Sequence, residues 1–316
     1  MPRDRTILVV VDPTADEQPA LGRAASLAEA LDATLELFIC DYDQHLAAHP
    51  LFDSAGLEKA RRSLLDGHVE RLRELARPMT DRGLRVELDA RWGRPLHRGV
   101  LRKVVDSAPL LVVKDTHYHD ALKRTLLSNT DWNLIRACPA PLLLVKPRPM
   151  GSPPTLLAAV DPMHEHDKPS ALDRSILSFA SDLAAKLHGR LHVLHAYDTA
   201  PVLAAASATT PVAMASVPVA DIASSLESEH RAALEALVAD YPGIDAAGVH
   251  LEEGAPSRCI AHKAAEHAVD FVVMGAVSRS GLQRIFVGST AEQTLDRLPC
   301  DLIVVKSPGF QVPEAD

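Results

Sequence analysis

Aromatic side chains are scarce in this chain. Phe, Tyr and Trp together make up 4% of its 316 residues, so large rings cannot anchor its interior and Leu, Val, Ile and Ala must fill it. Cysteine is almost as rare. Cys40, Cys138, Cys259 and Cys300 form no Cys-x-x-Cys pair, and their spacing suits neither a zinc ribbon nor a disulfide framework. Four reduced, mostly buried thiols are expected, which suits the cytoplasm. No basic run or stripe is present, and the net charge is −9. Neutralisation of phosphates by Lys and Arg dominates nucleic-acid affinity, so no nucleic-acid partner is expected. Long apolar runs are missing too. Ile7–Val11 is too short for the core of a signal peptide. The one long uncharged stretch, Thr199–Ala220, is interrupted by Pro201, Pro211 and Pro218 and is rich in Ala, Ser and Thr; a bilayer span needs about 20 strongly apolar residues. It reads as a loop, and no membrane span is expected. Finally, the chain has no Gly-x-Ser-x-Gly elbow, no P-loop lysine motif and no His-Glu-x-x-His.

What is present is a long internal repeat. Ile7-Leu8-Val9-Val10-Val11-Asp12-Pro13 returns as Leu156-Leu157-Ala158-Ala159-Val160-Asp161-Pro162, and Pro141–Lys146 returns as Asp301–Lys306. The second copy is the longer, and Thr199–Ala220 is the candidate insertion. Between the copies, Pro147-Arg148-Pro149-Met150-Gly151-Ser152-Pro153-Pro154 can continue neither helix nor strand and reads as a stiff linker. Hydrophobic residues make up 47% of the chain, enough for two cores. Two domains are expected, 1–147 and 154–308.

Short Val-, Leu- and Ile-rich runs predict buried parallel strands at 6–11, 34–40, 84–90, 110–114 and 141–146 in the first copy. In the second they fall at 155–160, 190–196, 249–252, 271–274 and 301–306. Between them, Leu21, Ala24, Ala25, Ala28 and Leu31, and likewise Leu172, Ile176, Phe179, Leu183 and Leu187, recur at helical spacing, with Gly189 as the expected stop. Charged amphipathic helices are expected over 57–81 and 222–241. The alternation predicts an α/β fold, two tandem doubly wound five-stranded parallel sheets of Rossmann type. By fold-level analogy the halves pack as a pseudo-dimer, and pairing of two chains stays open.

Open parallel sheets bind ligands beyond the carboxyl ends of their strands, where the strand order reverses. In the second copy, the loop after the fourth strand runs from Met274-Gly275 through Ser278 and Arg279 to Gly288-Ser289-Thr290. Gly275 lets a ligand come close to the backbone. Ser289-x-x-Glu292 fits a capping box, and the helix it starts would offer free amides and a partial positive charge to a phosphate. Arg279 and Arg284 add charge.

Gly275, two residues, Ser278, nine residues, then Gly288-Ser289 resembles the Gly-x-x-Gly, nine residues, Gly-Ser/Thr motif of the universal stress protein family. The likeness runs through both copies. The stretches 288–293 and Thr130-Asp131-Trp132 resemble a tandem-domain member. The resemblance implies a stress-response protein that binds ATP or AMP, with or without magnesium. It places Asp161 and Ala196 against the adenine, Met274 and Gly275 against base and ribose, and Gly288, Ser289 and Thr290 on the phosphates. Ser278 stands where the family has its second glycine, which costs about 1 kcal/mol if that position needs a positive φ.

The first copy has lost the motif. Aligned by eye, Lys114 replaces the first glycine, His117 the second and Ser128 the third, so no nucleotide is expected there, and Asp12 reads as a turn or helix-start residue. His117-x-His119-Asp120 and His164-Glu165-His166-Asp167 carry metal-ligand residue types, but solvated loop residues are the expected reading. No catalytic residue is expected. Two alternatives stay open: a slow ATPase, for which a bound triphosphate, metal and positioned water suffice, and an adaptor or binder of an apolar, lipid-like ligand or protein through the 199–220 loop.

Overall fold

The structure is a computed structural model. It describes residues 5–43, 46, 54–119, 124–126, 128–163, 171–200, 219–276 and 298–312, with backbone alone at 117–119, 124–126 and 219–220. The chain divides into two compact units, Met1–Met150 with Asp301–Val304 and Phe310–Asp316, and Gly151–Cys300 with Val305–Gly309.

The first unit begins with β1 (Thr6–Val10), α1 (Pro19–Leu31), β2 (Thr34–Asp41), α2 (Ser54–Thr80), β3 (Val86–Trp92), α3 (Leu96–Ser107) and β4 (Leu111–Asp115). A short antiparallel ribbon of β5 (His117–His119) and β6 (Arg124–Leu126) follows, then α4 (Asn129–Ala137) and β7 (Leu142–Val145). The second unit holds β8 (Thr155–Val160), α5 (Ala171–Lys186), β9 (Arg190–Tyr197), α6 (Val219–Val238), β10 (Val249–Glu253), α7 (Pro256–Glu266) and β11 (Phe271–Gly275); β12 (Asp301–Val305) closes the series.

All ten strands expected from the apolar runs are present. Their side chains point alternately to both faces and are covered on both. β8 is buried over its whole length, as are Leu35, Leu37, Phe38 and Ile39 of β2. This is why these strands read as continuous apolar runs rather than as alternating ones. The helices bury one stripe each: α2, otherwise charged, buries Leu72, Ala76 and Met79. The helix expected to stop at Gly189 stops one residue earlier. His188 takes the left-handed conformation, with φ at 50°, and Gly189 serves another purpose, since a Cβ there would lie 2.6 Å from the Pro154 carbonyl oxygen.

In the first unit β1 pairs in parallel with β2 on one side and β4 on the other, β2 pairs with β3, and β4 with β7. In the second, β8 lies between β9 and β11, and β9 pairs with β10. The chain reverses direction across each sheet at β1/β4 and at β8/β11, the two switch points. β12, expected as the second copy's fifth strand, is present: its Val305 carbonyl accepts from the Ala276 amide just past β11. Asp301–Val304, which belong to the first unit, also pair antiparallel with β7, Leu302 opposite Leu144, a partner the sequence did not indicate. Pairing covers an edge of β7 that would otherwise present unmatched amides and carbonyls.

The end of the proline-rich linker is held by a carboxylate. Asp270 accepts hydrogen bonds from the amides of Gly151 and Thr155, both at 2.8 Å. Cys40, Cys138 and Cys300 are buried. Among the described residues no helix is long and apolar enough to cross a membrane.

Candidate functional site

The carboxyl edge of the second unit's sheet is set by strand register. Val160 of β8 pairs with His195 of β9, so Asp161 and Ala196, the next residues, come level. Met274 of β11 pairs with Ala159, which sets Gly275 beside Val160. Four residues expected at the site are thus brought to one edge, at the switch point. Ser278, Arg279, Arg284, Gly288, Ser289 and Thr290 lie outside the described residues, as do His164–Asp167 and most of the 199–220 loop.

Asp161 is the distinctive group. Its amide donates to Oδ1 of Asp173 at 3.0 Å, which fixes the backbone as it leaves β8. Its own Oδ1 is buried and has no hydrogen-bond partner among the described residues. A buried acceptor without a donor costs about 1–3 kcal/mol. The edge therefore offers a carboxylate oxygen suited to an amino or imino N–H from outside the chain, which an adenine carries. Gly275 also has a packing role. A Cβ at this position would come within 2.6–3.1 Å of Leu172 side-chain atoms. The missing side chain makes room for the first turn of α5 on β11.

Beneath this edge runs a polar chain that sequence reasoning passed over. His195 is fully buried; its Nδ1 lies 3.2 Å from the Val160 carbonyl and its Nε2 2.7 Å from Nδ1 of His230 on α6. Tyr197 stacks on His230, ring centroids 4.8 Å apart. The chain ties the end of β8 to β9 and α6, and so helps hold the residue before Asp161. Just beyond β9, the Thr199 hydroxyl donates to the Glu253 carboxylate.

The first unit shows what happens when this edge is given over to structure. Asp12 Oδ1 accepts from the amide and hydroxyl of Thr14, at 2.8 and 2.7 Å; it makes a turn. Register corrects the sequence alignment by one place. Val10 pairs with Lys114 as Ala159 pairs with Met274, and the Thr116 amide meets the Val145 carbonyl as that of Ala276 meets Val305. Lys114 is therefore the counterpart of Met274, and Asp115 stands in the first glycine's place. Its Oδ1 accepts from the Ala20 amide at the start of α1, at 2.6 Å. Lys114, 7% exposed, pairs with the fully buried Asp131 at 2.8 Å and donates to the Asp115 carbonyl at 3.0 Å. Ser128 and Asp131 form a reciprocal capping box at the start of α4. The helix start that would face a phosphate is already neutralised by the chain's own carboxylate, and the neighbouring space is filled by Lys114 and Asp115.

Burial lifts the pKa of Asp115 to about 7, against the pull of the Ala20 amide and Lys114 and with a push from Asp301 and Asp12. An acid whose folded pKa is raised holds its proton more tightly folded than unfolded. Its contribution to stability is therefore lost as pH climbs from about 4 to about 7. Asp115→Asn, which keeps an acceptor for Ala20, should remove that loss. The variant is expected to gain on the order of 2 kcal/mol over the parent at pH 8 and much less at pH 4. Denaturation curves at both pH values check this; an equal difference at each would contradict it.

The sequence profile of the universal stress protein family matches residues 4–146 and again 155–306. The chain is similar to universal stress protein E of Salmonella typhi, 29% identical over 310 residues that cover 98% of this chain and 96% of that protein. It is 25% identical over 307 residues to a universal stress protein E homolog of Haemophilus influenzae, covering 96% and 97% of the two chains. Among solved structures, a functionally unknown protein of Pseudomonas aeruginosa PAO1 superposes with a TM-score of 0.71 at 27% identity, over 96% of this chain and 93% of that one. A universal stress protein of Archaeoglobus fulgidus gives 0.67 at 17% identity, over 95% and 98%, a likeness of fold alone.

Proposed function

Because the chain belongs to the universal stress protein family in both of its units, we propose that the second unit binds an adenine nucleotide, ATP or AMP, at the carboxyl edge of its sheet, and that it acts as a binding protein rather than an enzyme. The observation that carries this reading is the partnerless Oδ1 of Asp161, buried at the switch point. Asp161 would accept from the exocyclic amine of the base, Ala196 and Met274 would line the ring, and the 275–290 segment would supply the phosphate site, with Ser278, Gly288, Ser289 and Thr290 as its contacts. The contrast between the units supports the assignment. Oδ1 of Asp12 is used up in an Asx turn with Thr14, whereas the equivalent Oδ1 of Asp161 has no hydrogen-bond partner among the described residues.

Among the described residues no side chain at this edge combines the reach and the partners of a general base, so the nucleotide is read as a ligand whose presence changes the surface seen by a partner. Calorimetric titration of the full chain with ATP tests the proposal. One site per chain is expected, weakened at least about tenfold in Asp161→Ala, the worth of a hydrogen bond of about 1.4 kcal/mol, and abolished in Gly288→Leu. Unchanged affinity in both variants would refute the pocket, and steady release of ADP would refute the non-catalytic half of the reading.

A further inference from the structure

The other edge of the second unit's sheet carries a cluster of histidines unconnected with the nucleotide site. His192 is the third residue of β9, His250 the second of β10, and His267 caps the end of α7 just before β11. Parallel strands begin at one edge, so the three meet at the amino edge, whereas Asp161 lies past the carboxyl ends. Nδ1 of His192 and Nε2 of His250 are 3.0 Å apart, and one ring nitrogen from each of the three lies within 4.8 Å of the others. The rings are half-buried and close, with centroids 4.4–5.2 Å apart. Nε2 of His267 is buried without a hydrogen-bond partner in the protein; the nearest carboxylate oxygen, on Glu266, is 3.9 Å away.

The geometry points to a site for a divalent transition metal, zinc or a close relative, held by His192, His250 and His267. Two imidazoles on a tetrahedral zinc, with Zn–N of about 2.0–2.1 Å, place their nitrogens roughly 3.3 Å apart, close to the separation already present between His192 and His250. Small ring rotations bring in His267. Neutral imidazole is the ligand form, and burial favours it at His192 and His250. Burial first, then the neighbouring His267, His250, Arg190 and Lys263, pushes the pKa of His192 down to about 4; burial and Lys263 also lower that of His250. Lys263 does not leave the site cationic, because Glu252 and Glu266 hold its ammonium at 2.9 and 3.0 Å. Three imidazoles with a fourth position free for water is a coordination set that imidazole-favouring ions accept. Bound there, the ion ties β9, β10 and the α7–β11 turn together, a cross-link at the edge remote from Asp161.

The test uses full-length protein stripped with a chelator and titrated with cobalt(II), whose visible absorption reports tetrahedral nitrogen ligation, and with zinc by calorimetry. To set aside the other histidine pairs, the starting protein carries His117, His119, His164 and His166 all changed to Gln. One ion per chain is expected in that background. Affinity should fall by more than the roughly 10–100-fold that loss of even an outer ligand partner causes when His192→Gln or His250→Gln is added. In the unmutated protein, zinc should move the ring-nitrogen NMR signals of the three histidines together, a reading that does not depend on any variant folding. Absence of binding in the starting background, binding that survives His250→Gln with His267→Gln, or ring signals that stay still would each overturn the site. None of these outcomes bears on the nucleotide titration, so the two proposals stand or fall separately.

Discussion

Asp131→Ala is expected to destabilise the first unit by about 3–5 kcal/mol, the usual cost of breaking a buried ion pair by removing one partner. The carboxylate is fully buried and does three things at once. One oxygen faces the Lys114 ammonium at 2.8 Å; the other accepts from the amide of Ser128 at 2.7 Å and from its hydroxyl at 2.8 Å. Taking it away leaves a cation 7% exposed without its counter-charge, together with a helix that keeps only the Ser128 half of its capping box. Adding Lys114→Met should recover most of the loss, because the stranded charge, and not the missing attraction, is the larger part. Urea denaturation of parent, single and double variants checks this. A single-variant loss under about 1 kcal/mol would mean that water reaches Lys114. A phosphate at the start of α4 would have to displace Asp131 from Lys114.

Asp301→Ala should cost the first unit about 3 kcal/mol. Asp301 is fully buried, lies 2.8 Å from the Arg23 guanidinium of α1, and accepts from the Lys146 amide at 2.9 Å. Arg23 also donates to the Arg148 carbonyl at 2.8 Å, which keeps the loss toward the lower end of the range for buried pairs. The expected signature is local as well as global. β12 enters its pairing with β7 at Asp301, so amide hydrogen exchange at Leu142–Leu144 should quicken in the variant before the rest of the unit is affected. Uniform protection across β7 would show that Asp301 does not hold the strand in place.

Much of this protein was legible before its structure. A parallel strand buried on both faces must be apolar at every position, so Leu156–Val160 and Phe271–Met274 could be read as strands without knowing their partners. The linker was legible because proline forbids both regular structures. α3 and α7 were passed over. Each is short, and each mixes a polar side chain into its buried face: Ser257 in α7, and in α3 Lys103, which is 6% exposed and pairs with Glu36 and Asp89. A hydrophobic-period reading cannot see a stripe that is apolar only once its charges are paired. Alignment by eye put Lys114 in the glycine's place, and the register put Asp115 there. A one-residue slip in a strand reverses which face each side chain takes, and only the hydrogen-bonded pairing settles it.

Composition and periodicity determined the α/β class, the tandem repeat, the strands and the edge at which Asp161 stands, because these follow from local chemistry repeated along the chain. Tertiary structure alone decided three things: that Asp161 keeps an unmatched oxygen, that β12 runs antiparallel beside β7, and that His192, His250 and His267 converge. Each depends on atoms more than a dozen residues apart coming within a few ångströms, and no local pattern encodes such a distance.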